Sequence, residues 1–209
     1  MAKYLTEFLG TFFFVLIIGL SVGSGTTLAP IAIGIGLAIL VYMGGHVSGA
    51  HYNPAITLGL LINGNIKITE AAIYWLVQLA ASAAAAFLVG IMVQDQSFVF
   101  TVAPAESASP VQVLLVETLF TFLLVITVMN VAVAKKTAGN SYFGLAIGGA
   151  VMAAAFASGG ISGGAFNPAV GFGPNMVNMN FEPMWYYFVG PLVGGALAAV
   201  VFKVMNPEG

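Results

Sequence analysis

The sequence predicts an all-α membrane protein in which six transmembrane helices and two re-entrant half-helices form an inverted repeat. Three observations support this fold class. The 209 residues are 60% hydrophobic and only 6% charged, a composition that soluble domains do not show. Several apolar runs approach the roughly 20 residues that a helix needs to cross a ~30 Å hydrocarbon core. An Asn-Pro-Ala motif also occurs twice, at Asn53 and at Asn167.

The six spans follow the apolar runs in order. The first span is expected near Tyr4–Ser24, and because no small-residue cleavage site stands out, we expect a membrane span there and not a removed signal peptide. The remaining spans are expected at Pro30–Gly45, Glu70–Val93, Pro110–Lys135, Tyr142–Ser158 and Pro183–Val204. The connection 94–109 contains Asp95, Pro104 and Glu106 and is expected to be an exposed loop.

The two Asn-Pro-Ala segments are too short to be spans. Asn is a favoured N-cap because its side-chain oxygen accepts free backbone N–H groups, and Pro suits the first helical position. We expect helices from Asn53 to Ile62 and from Asn167 to Val177, each roughly 15 Å long and so about half a span. Two surface loops are the alternative. The glycine-rich, apolar approach to both motifs favours re-entrant half-helices, since irregular backbone at membrane depth must be buried by protein or line a cavity.

The chain repeats itself with an offset of 114 positions. This offset relates Asn53 to Asn167, and it also relates Ile33 to Ile147. Each half therefore contains three spans and one half-helix, and an odd number of spans inverts the second half relative to the first. The expected division is one transmembrane domain over 1–209, with halves at about 1–95 and 110–209 and the loop 94–109 between them.

Charge predicts the orientation and excludes several functions. All five lysines fall on the side of the N-terminus, which predicts that both termini are cytoplasmic. The expected location is the inner or plasma membrane of the cell, with the lipid bilayer as partner. The chain has no Arg and no basic footprint for nucleic acid. It also has no Cys, no metal-ligand spacing, no phosphate loop and no nucleophile–base set, so we expect neither an enzyme nor a cofactor.

Several motifs together resemble an aquaporin of the major intrinsic protein family. They are Glu7-Phe8-Leu9-Gly10-Thr11, the segments from Ser48-Gly49 to Asn53-Pro54-Ala55 and from Ser162-Gly163 to Asn167-Pro168-Ala169, Glu117, and Gly190-Pro191. The resemblance covers nearly the whole chain. It implies six tilted spans and two half-helices that meet end to end, with one pore per subunit and usually a homotetramer. It also implies a passive channel for water.

The chemistry of the motifs agrees with a pore. Two half-helix N-termini that meet at mid-membrane place two partial positive charges at one point, which repels cations. If the side-chain oxygens of Asn53 and Asn167 cap the helices, their NH2 groups remain free to donate to one water molecule. The backbone carbonyls of the two approaches are expected to line the pore, at Gly49, Ala50 and His51 and at Ser162, Gly163 and Gly164.

Ionisable residues within the apolar sequence have competing explanations. Glu7 and Glu117 are expected to accept N–H groups from the re-entrant loop of their own half, and a proton relay is the alternative. His46 is expected to be packed and hydrogen-bonded. His51 lies nearer the pore by resemblance, and a gating role for it is the less favoured interpretation.

The selectivity filter departs from the family pattern. Water-selective members carry Arg directly after the second Asn-Pro-Ala, where this chain has Val170. By resemblance, the other three filter positions fall on Ile33, Ala155 and Gly164, and a shift of one position would place Phe156 in the filter. We expect such a pore to pass water and also small neutral solutes such as ammonia, urea or glycerol. The alternatives are a secondary transporter with broken helices, or a structural membrane protein with a vestigial pore.

Overall fold

The computed structural model describes residues 1–93 and 97–207. Within them the chain forms eight α-helices. These are α1 (Ala2–Gly23), α2 (Ala29–Ser48), α3 (Pro54–Asn63), α4 (Ile68–Met92), α5 (Pro110–Val128), α6 (Phe143–Ser162), α7 (Pro168–Val177) and α8 (Met184–Met205). Six of them are long and apolar enough to cross a membrane, whereas α3 and α7 have ten residues each. The predicted fold class is therefore confirmed.

Three predicted helix ends differ from the structure. α2 and α6 continue to Ser48 and Ser162, beyond the predicted ends at Gly45 and Ser158, because a glycine follows each and caps the last turn in the left-handed conformation. α5 ends at Val128, and one π-helical turn follows, Met129–Val133.

The two halves interlock through their half-helices. The long helices pair as α1 with α4 and α2 with α6, and as α5 with α8. The half-helix α3 packs on α8 of the other half, and α7 packs on α4. Each half-helix is thus held by a span from the opposite half, and the N-terminal ends of α3 and α7 meet in the middle of the bundle.

Two glycines allow the backbones of α2 and α6 to approach each other closely where these helices cross. A Cβ atom added to Gly148 would lie 2.1 Å from the carbonyl oxygen of Gly34, and one added to Gly34 would lie 2.7 Å from the carbonyl oxygen of Gly148. The two glycines occupy repeat-related positions, and only a hydrogen atom fits between the backbones there.

The lysines mark one end of the bundle, which we call the inner end. Lys3 Nζ lies 2.6 Å from Glu70 Oε1 and joins the start of α1 to the start of α4. Lys203 Nζ donates to the carbonyl oxygen of Ile62 at 2.8 Å and joins the end of α8 to the end of α3. The opposite end, where α4 leads to α5, is the outer end.

Candidate functional site

Two loops of the same conformation lead into the half-helices. Gly49 and Gly163 end α2 and α6 with φ of 85° and 84°, and three residues later Tyr52 and Phe166 adopt φ of 49° and 48°. Aromatic residues rarely occupy this left-handed region, which costs about 1–3 kcal/mol for a residue other than glycine. Surrounding contacts must therefore hold both loops in place.

In the first half this contact is the carboxylate of Glu7, which is fully buried. Its Oε1 accepts from Ser48 Oγ at 2.7 Å and from the backbone N–H of His51 at 2.9 Å. Its Oε2 accepts from the backbone N–H of Tyr52 at 2.8 Å and from Gln78 Nε2 at 2.9 Å. The carboxylate thus has four donors, which use its acceptor capacity.

The carboxylate of Glu117 occupies the equivalent place in the second half. Its Oε1 accepts from Ser162 Oγ at 2.7 Å and from the backbone N–H of Ala165 at 3.1 Å, and its Oε2 accepts from the backbone N–H of Phe166 at 2.7 Å. Tyr74 on α4 and Tyr187 on α8 hold equivalent places, since their hydroxyl groups donate to the carbonyls of Ser48 and Ser162. Four residues after each tyrosine, α4 has Gln78 and α8 has Pro191, so among the described residues no amide takes the place of Gln78. Both glutamates contact their own loop, as a loop-holding role requires.

The two asparagines cap the half-helices and also join them. Asn53 Oδ1 accepts from the backbone N–H of Ala55 at 2.8 Å, and Asn167 Oδ1 accepts from that of Ala169 at 2.9 Å. The prediction that the NH2 groups of both asparagines are free is wrong for one of the two protons of each group. Asn53 Nδ2 donates to the carbonyl oxygen of Phe166 and Asn167 Nδ2 donates to that of Tyr52, both at 2.9 Å. An NH2 group has two protons, so one donor per asparagine remains for a solute.

Three cavities follow one another from the outer to the inner end. The outer cavity has a volume of about 340 Å³ and the inner cavity about 500 Å³. Between them lies a space of about 10 Å³, lined by Asn53, Asn167 and His51 with apolar neighbours that include Leu37 and Leu124. A space of about 10–15 Å³ holds one water molecule, so this narrow segment has the size for single file.

All four residues named for the filter line the outer cavity. They are Ile33, Ala155, Gly164 and Val170. Phe156, the alternative to Ala155, points away from the cavity with 55% of its surface exposed on the outside of the bundle. The four filter positions therefore contribute only small or apolar side chains to a wide space, and the narrowest of the three spaces lies deeper, at the asparagines.

A second wall of the outer cavity was missed by sequence reasoning. The connection 94–109 was expected to be exposed, yet Phe100 and Val102 are only 4% and 5% exposed. They line the outer cavity together with Thr101 and Ala103. Asp95, named in that prediction, lies outside the described residues.

Two asparagines of the second half-helix hold this segment. Asn175 is fully buried, and its side chain accepts from the backbone N–H of Val102 at 3.1 Å and donates to the carbonyl of the same residue at 2.8 Å. Asn178 Nδ2 donates to the carbonyl of Phe100 at 2.8 Å. The only sequence feature that could have indicated this contact is the pair of amides at the end of α7.

The backbone positions predicted to line the pore divide into two groups. Gly49 and His51 line the inner cavity, and Gly163 and Gly164 line the outer one. Ala50 and Ser162 line none of the three cavities. The carbonyl of Ser162 instead accepts from Tyr187 Oη at 2.6 Å, and Ser162 is fully buried.

The prediction that His46 is packed is wrong. Its side chain is exposed and borders the inner cavity, because His46 lies on the side of α2 that lines this cavity together with Val41, Gly45 and Gly49.

Comparison with known proteins gives consistent results. The family described as "Major intrinsic protein" matches residues 1–202. "Aquaporin TIP2-3" of Arabidopsis thaliana is 38% identical over 97% of this chain and 86% of its own length. "Probable aquaporin TIP1-1" of Oryza sativa subsp. japonica is 36% identical over 90% of this chain and 74% of its own length.

A solved structure shares the fold. The X-ray structure of the aquaglyceroporin from Plasmodium falciparum superimposes with a TM-score of 0.86, covering 99% of this chain and 97% of that chain, at 20% sequence identity. The arrangement of six spans and two half-helices is therefore common to both proteins.

Proposed function

The chain belongs to the major intrinsic protein family, and we propose that its pore admits small neutral solutes besides water because the side chains at its four filter positions are small or apolar and include no arginine. Membership makes the chain an integral, multi-pass membrane protein that acts as a passive channel for water and small solutes, and not as an enzyme.

One observation carries the proposed selectivity: the four filter positions surround the cavity of about 340 Å³. Val170 offers no hydrogen-bond donor and no charge, and Ala155 and Gly164 occupy little space. Small pores select neutral solutes by diameter and by the donors and acceptors of the wall. A wide apolar wall hinders glycerol or urea less than a wall narrowed by Arg and an aromatic residue would.

Ions are excluded at the narrow segment, by the charges of the two half-helices. The N-termini of α3 and α7 point their partial positive charges at the space between Asn53 and Asn167. A cation there meets repulsion and loses its hydration, which costs at least about 2.5–3.5 kcal/mol for a charge at the membrane centre. The remaining amide protons of both asparagines can donate to a single solute oxygen or nitrogen.

The geometry gives no support to a secondary transporter. Such a protein needs a site for its coupling ion, and the candidates were Glu7 and Glu117. Every oxygen of both carboxylates instead accepts at least one hydrogen bond, mainly from the re-entrant loop of the same half, and both glutamates are fully buried, which favours the loop-holding role over an ion site. A vestigial pore is likewise disfavoured, because the narrow segment has room for a water molecule.

The test is stopped-flow permeability of proteoliposomes to water, ammonia, urea and glycerol without an ion gradient. The native protein should pass water and at least one of the other solutes. Val170→Arg should reduce the solute flux more than the water flux. Val177→Arg is the matched control, because Val177 lies at the exposed outer end of the same half-helix and away from the cavity. A native protein that passes only water would refute the proposed selectivity.

We also propose a homotetramer, with one pore per subunit and both termini in the cytoplasm of an inner or plasma membrane. The family resemblance supports the tetramer, and the five lysines at the inner end support the orientation. Native mass spectrometry of the purified protein and topology reporters fused to each terminus test these two points.

A further inference from the structure

The side chain of His51, at the inner end of the narrow segment, has a ring nitrogen whose role the fold does not explain. His51 is 6% exposed and lines both the narrow segment and the inner cavity. Its Nδ1 lies 3.0 Å from Thr57 Oγ1. Its Nε2 lies beside Gly49, where an added Cβ would approach it to 3.2 Å, and Gly49 lines the inner cavity. Among the described residues no protein group bonds to Nε2.

The hydroxyl group of Thr57 determines which nitrogen of the ring carries the proton. Thr57 Oγ1 has three polar neighbours: His51 Nδ1, Gln78 Nε2 at 3.2 Å and the carbonyl oxygen of Asn53 at 3.1 Å. A hydroxyl has one proton and two lone pairs. The carbonyl can only accept and the amide NH2 can only donate, so the hydroxyl proton points to Asn53 and one lone pair faces Gln78. All three contacts are hydrogen bonds at once only when the second lone pair faces His51, and in that arrangement Nδ1 is the donor.

The orientation of the Gln78 amide is itself determined by Glu7. The same Nε2 that faces Thr57 also donates to Glu7 Oε2 at 2.9 Å. Exchanging the oxygen and nitrogen of the amide would place an oxygen against that carboxylate, which is repulsive. The chain of contacts from Glu7 through Gln78 and Thr57 to His51 thus has a single direction of donation.

The ring is neutral in this position. A protonated His51 would be a buried cation beside the positive ends of the two half-helices, which is strongly disfavoured. A neutral imidazole with the proton on Nδ1 carries a bare lone pair on Nε2. The second half cannot repeat this arrangement, because Ala165 and Gly171 stand at the positions related to His51 and Thr57.

We propose that Thr57 is a positioning residue that holds His51 with its proton on Nδ1, so that Nε2 is a fixed acceptor for water and small neutral solutes carrying N–H or O–H groups. This acceptor lies next to the donors of Asn53 and Asn167, on the side of the inner cavity. A solute that accepts from the asparagines and donates to His51 is matched on both sides, as water and ammonia are, whereas ammonium has no lone pair for the asparagines. The statement about solutes rests on the channel function proposed above, and the state of the ring does not.

Nitrogen-15 NMR of histidine-labelled protein in lipid bilayers tests the ring directly, since neutral tautomers and the charged ring give separate signals. The chain has only two histidines, and His46→Gln removes the other one. We expect wild-type His51 to be neutral with the proton on Nδ1. A proton on Nε2, or a charged ring, in the wild-type protein would overturn the proposal without any variant having to fold.

Variants of Thr57 separate positioning from mere packing. Thr57→Val should allow the proton to move to Nε2 and should lower water permeability about fivefold, the effect of one hydrogen bond. Thr57→Ser retains the hydroxyl and should restore both readouts. Thr127→Val is the matched control, because Thr127 donates to the carbonyl four residues earlier on α5 and lines none of the three cavities.

Two outcomes distinguish this proposal from the channel function. An unchanged ring in Thr57→Val would refute the positioning role even if the protein conducts normally. A wild-type protein with the expected ring but no solute flux would refute the channel function and the role of His51 toward solutes.

Discussion

The two buried glutamates should tolerate Gln better than Leu, and the structure allows the difference to be estimated. Glu7→Leu removes the acceptor for four donors, two of which are the backbone N–H groups of His51 and Tyr52. A buried polar group without a partner costs about 1–3 kcal/mol, so these two groups alone cost about 2–6 kcal/mol. That is a large part of the 5–15 kcal/mol by which proteins are typically stable, and we expect weak assembly of this variant.

Glu7→Gln should be milder because half of the acceptor remains. The new amide keeps one oxygen for Ser48 and His51, and its NH2 group then faces Tyr52 and Gln78. Rotation of the Gln78 amide by half a turn offers its oxygen to that NH2 group, but it moves the NH2 group of Gln78 to the buried place where its oxygen has no partner. Two groups therefore stay unpaired, the N–H of Tyr52 and one NH2 group, at about 2–6 kcal/mol in total, whereas Leu leaves all four donors without an acceptor.

Glu117→Gln should behave in the same way. Its amide keeps one oxygen for Ser162 and Ala165. Two groups stay unpaired, the N–H of Phe166 and the introduced NH2, at about 2–6 kcal/mol in total. Gln in place of Glu117 should therefore destabilise about as much as Gln in place of Glu7.

Thermal unfolding of the purified variants in detergent, followed by circular dichroism, gives the order of stabilities. We expect wild type to be most stable, then Glu7→Gln and Glu117→Gln at similar unfolding temperatures, with Glu7→Leu well below. Equal unfolding temperatures for Glu7→Gln and Glu7→Leu would refute the hydrogen-bond argument. If Glu7→Gln abolished flux at unchanged stability, a proton relay would replace the loop-holding role.

Three further predictions concern the half-helices and the helix crossing. Asn53→Ala and Asn167→Ala should each lose about 1 kcal/mol for the cap and about 1 kcal/mol for the bond to the opposite loop, with lower water permeability in liposomes; unchanged stability and permeability in both would contradict the assignment of the pore centre. Gly148→Ala should destabilise by about 1–3 kcal/mol through overpacking, whereas Gly149→Ala, with open space around it, should unfold no earlier than wild type. Asn175→Leu should release the segment that lines the outer cavity and change the ratio of glycerol to water flux; an unchanged ratio would show that this segment does not affect selectivity.

The fold was predictable because its strongest determinants are local. Apolar length defines the spans, and the Asn-Pro pair that starts each half-helix combines an N-cap with a first helical residue. The structure has Asn53 and Asn167 as caps whose helices begin at the following proline. Hydropathy could not locate the ends of α2 and α6, because the capping residues Gly49 and Gly163 are preceded by further apolar and small residues.

The missed parts of the site depend on partners that are distant in sequence. The composition of the connection 94–109 predicts an exposed loop around Val102. Its burial follows from the amide of Asn175, 73 positions away. Gln78 lies in an apolar helix, and its amide finds its acceptors, Glu7 and Thr57, only when α4 packs beside them. No pattern within one segment indicates such contacts, since they arise from the relative placement of the two halves.

The crossed bonds between the half-helices have a consequence for synthesis. The amide of Asn53 needs the carbonyl of Phe166, and the carbonyl of Tyr52 needs the amide of Asn167. Translation proceeds at about 5–20 residues per second, so the second loop emerges roughly 6–23 s after the first. A first loop that re-entered the membrane in that interval would hold a polar amide and a carbonyl there with no protein partner. The centre of the pore is therefore complete only after the ribosome has delivered both halves.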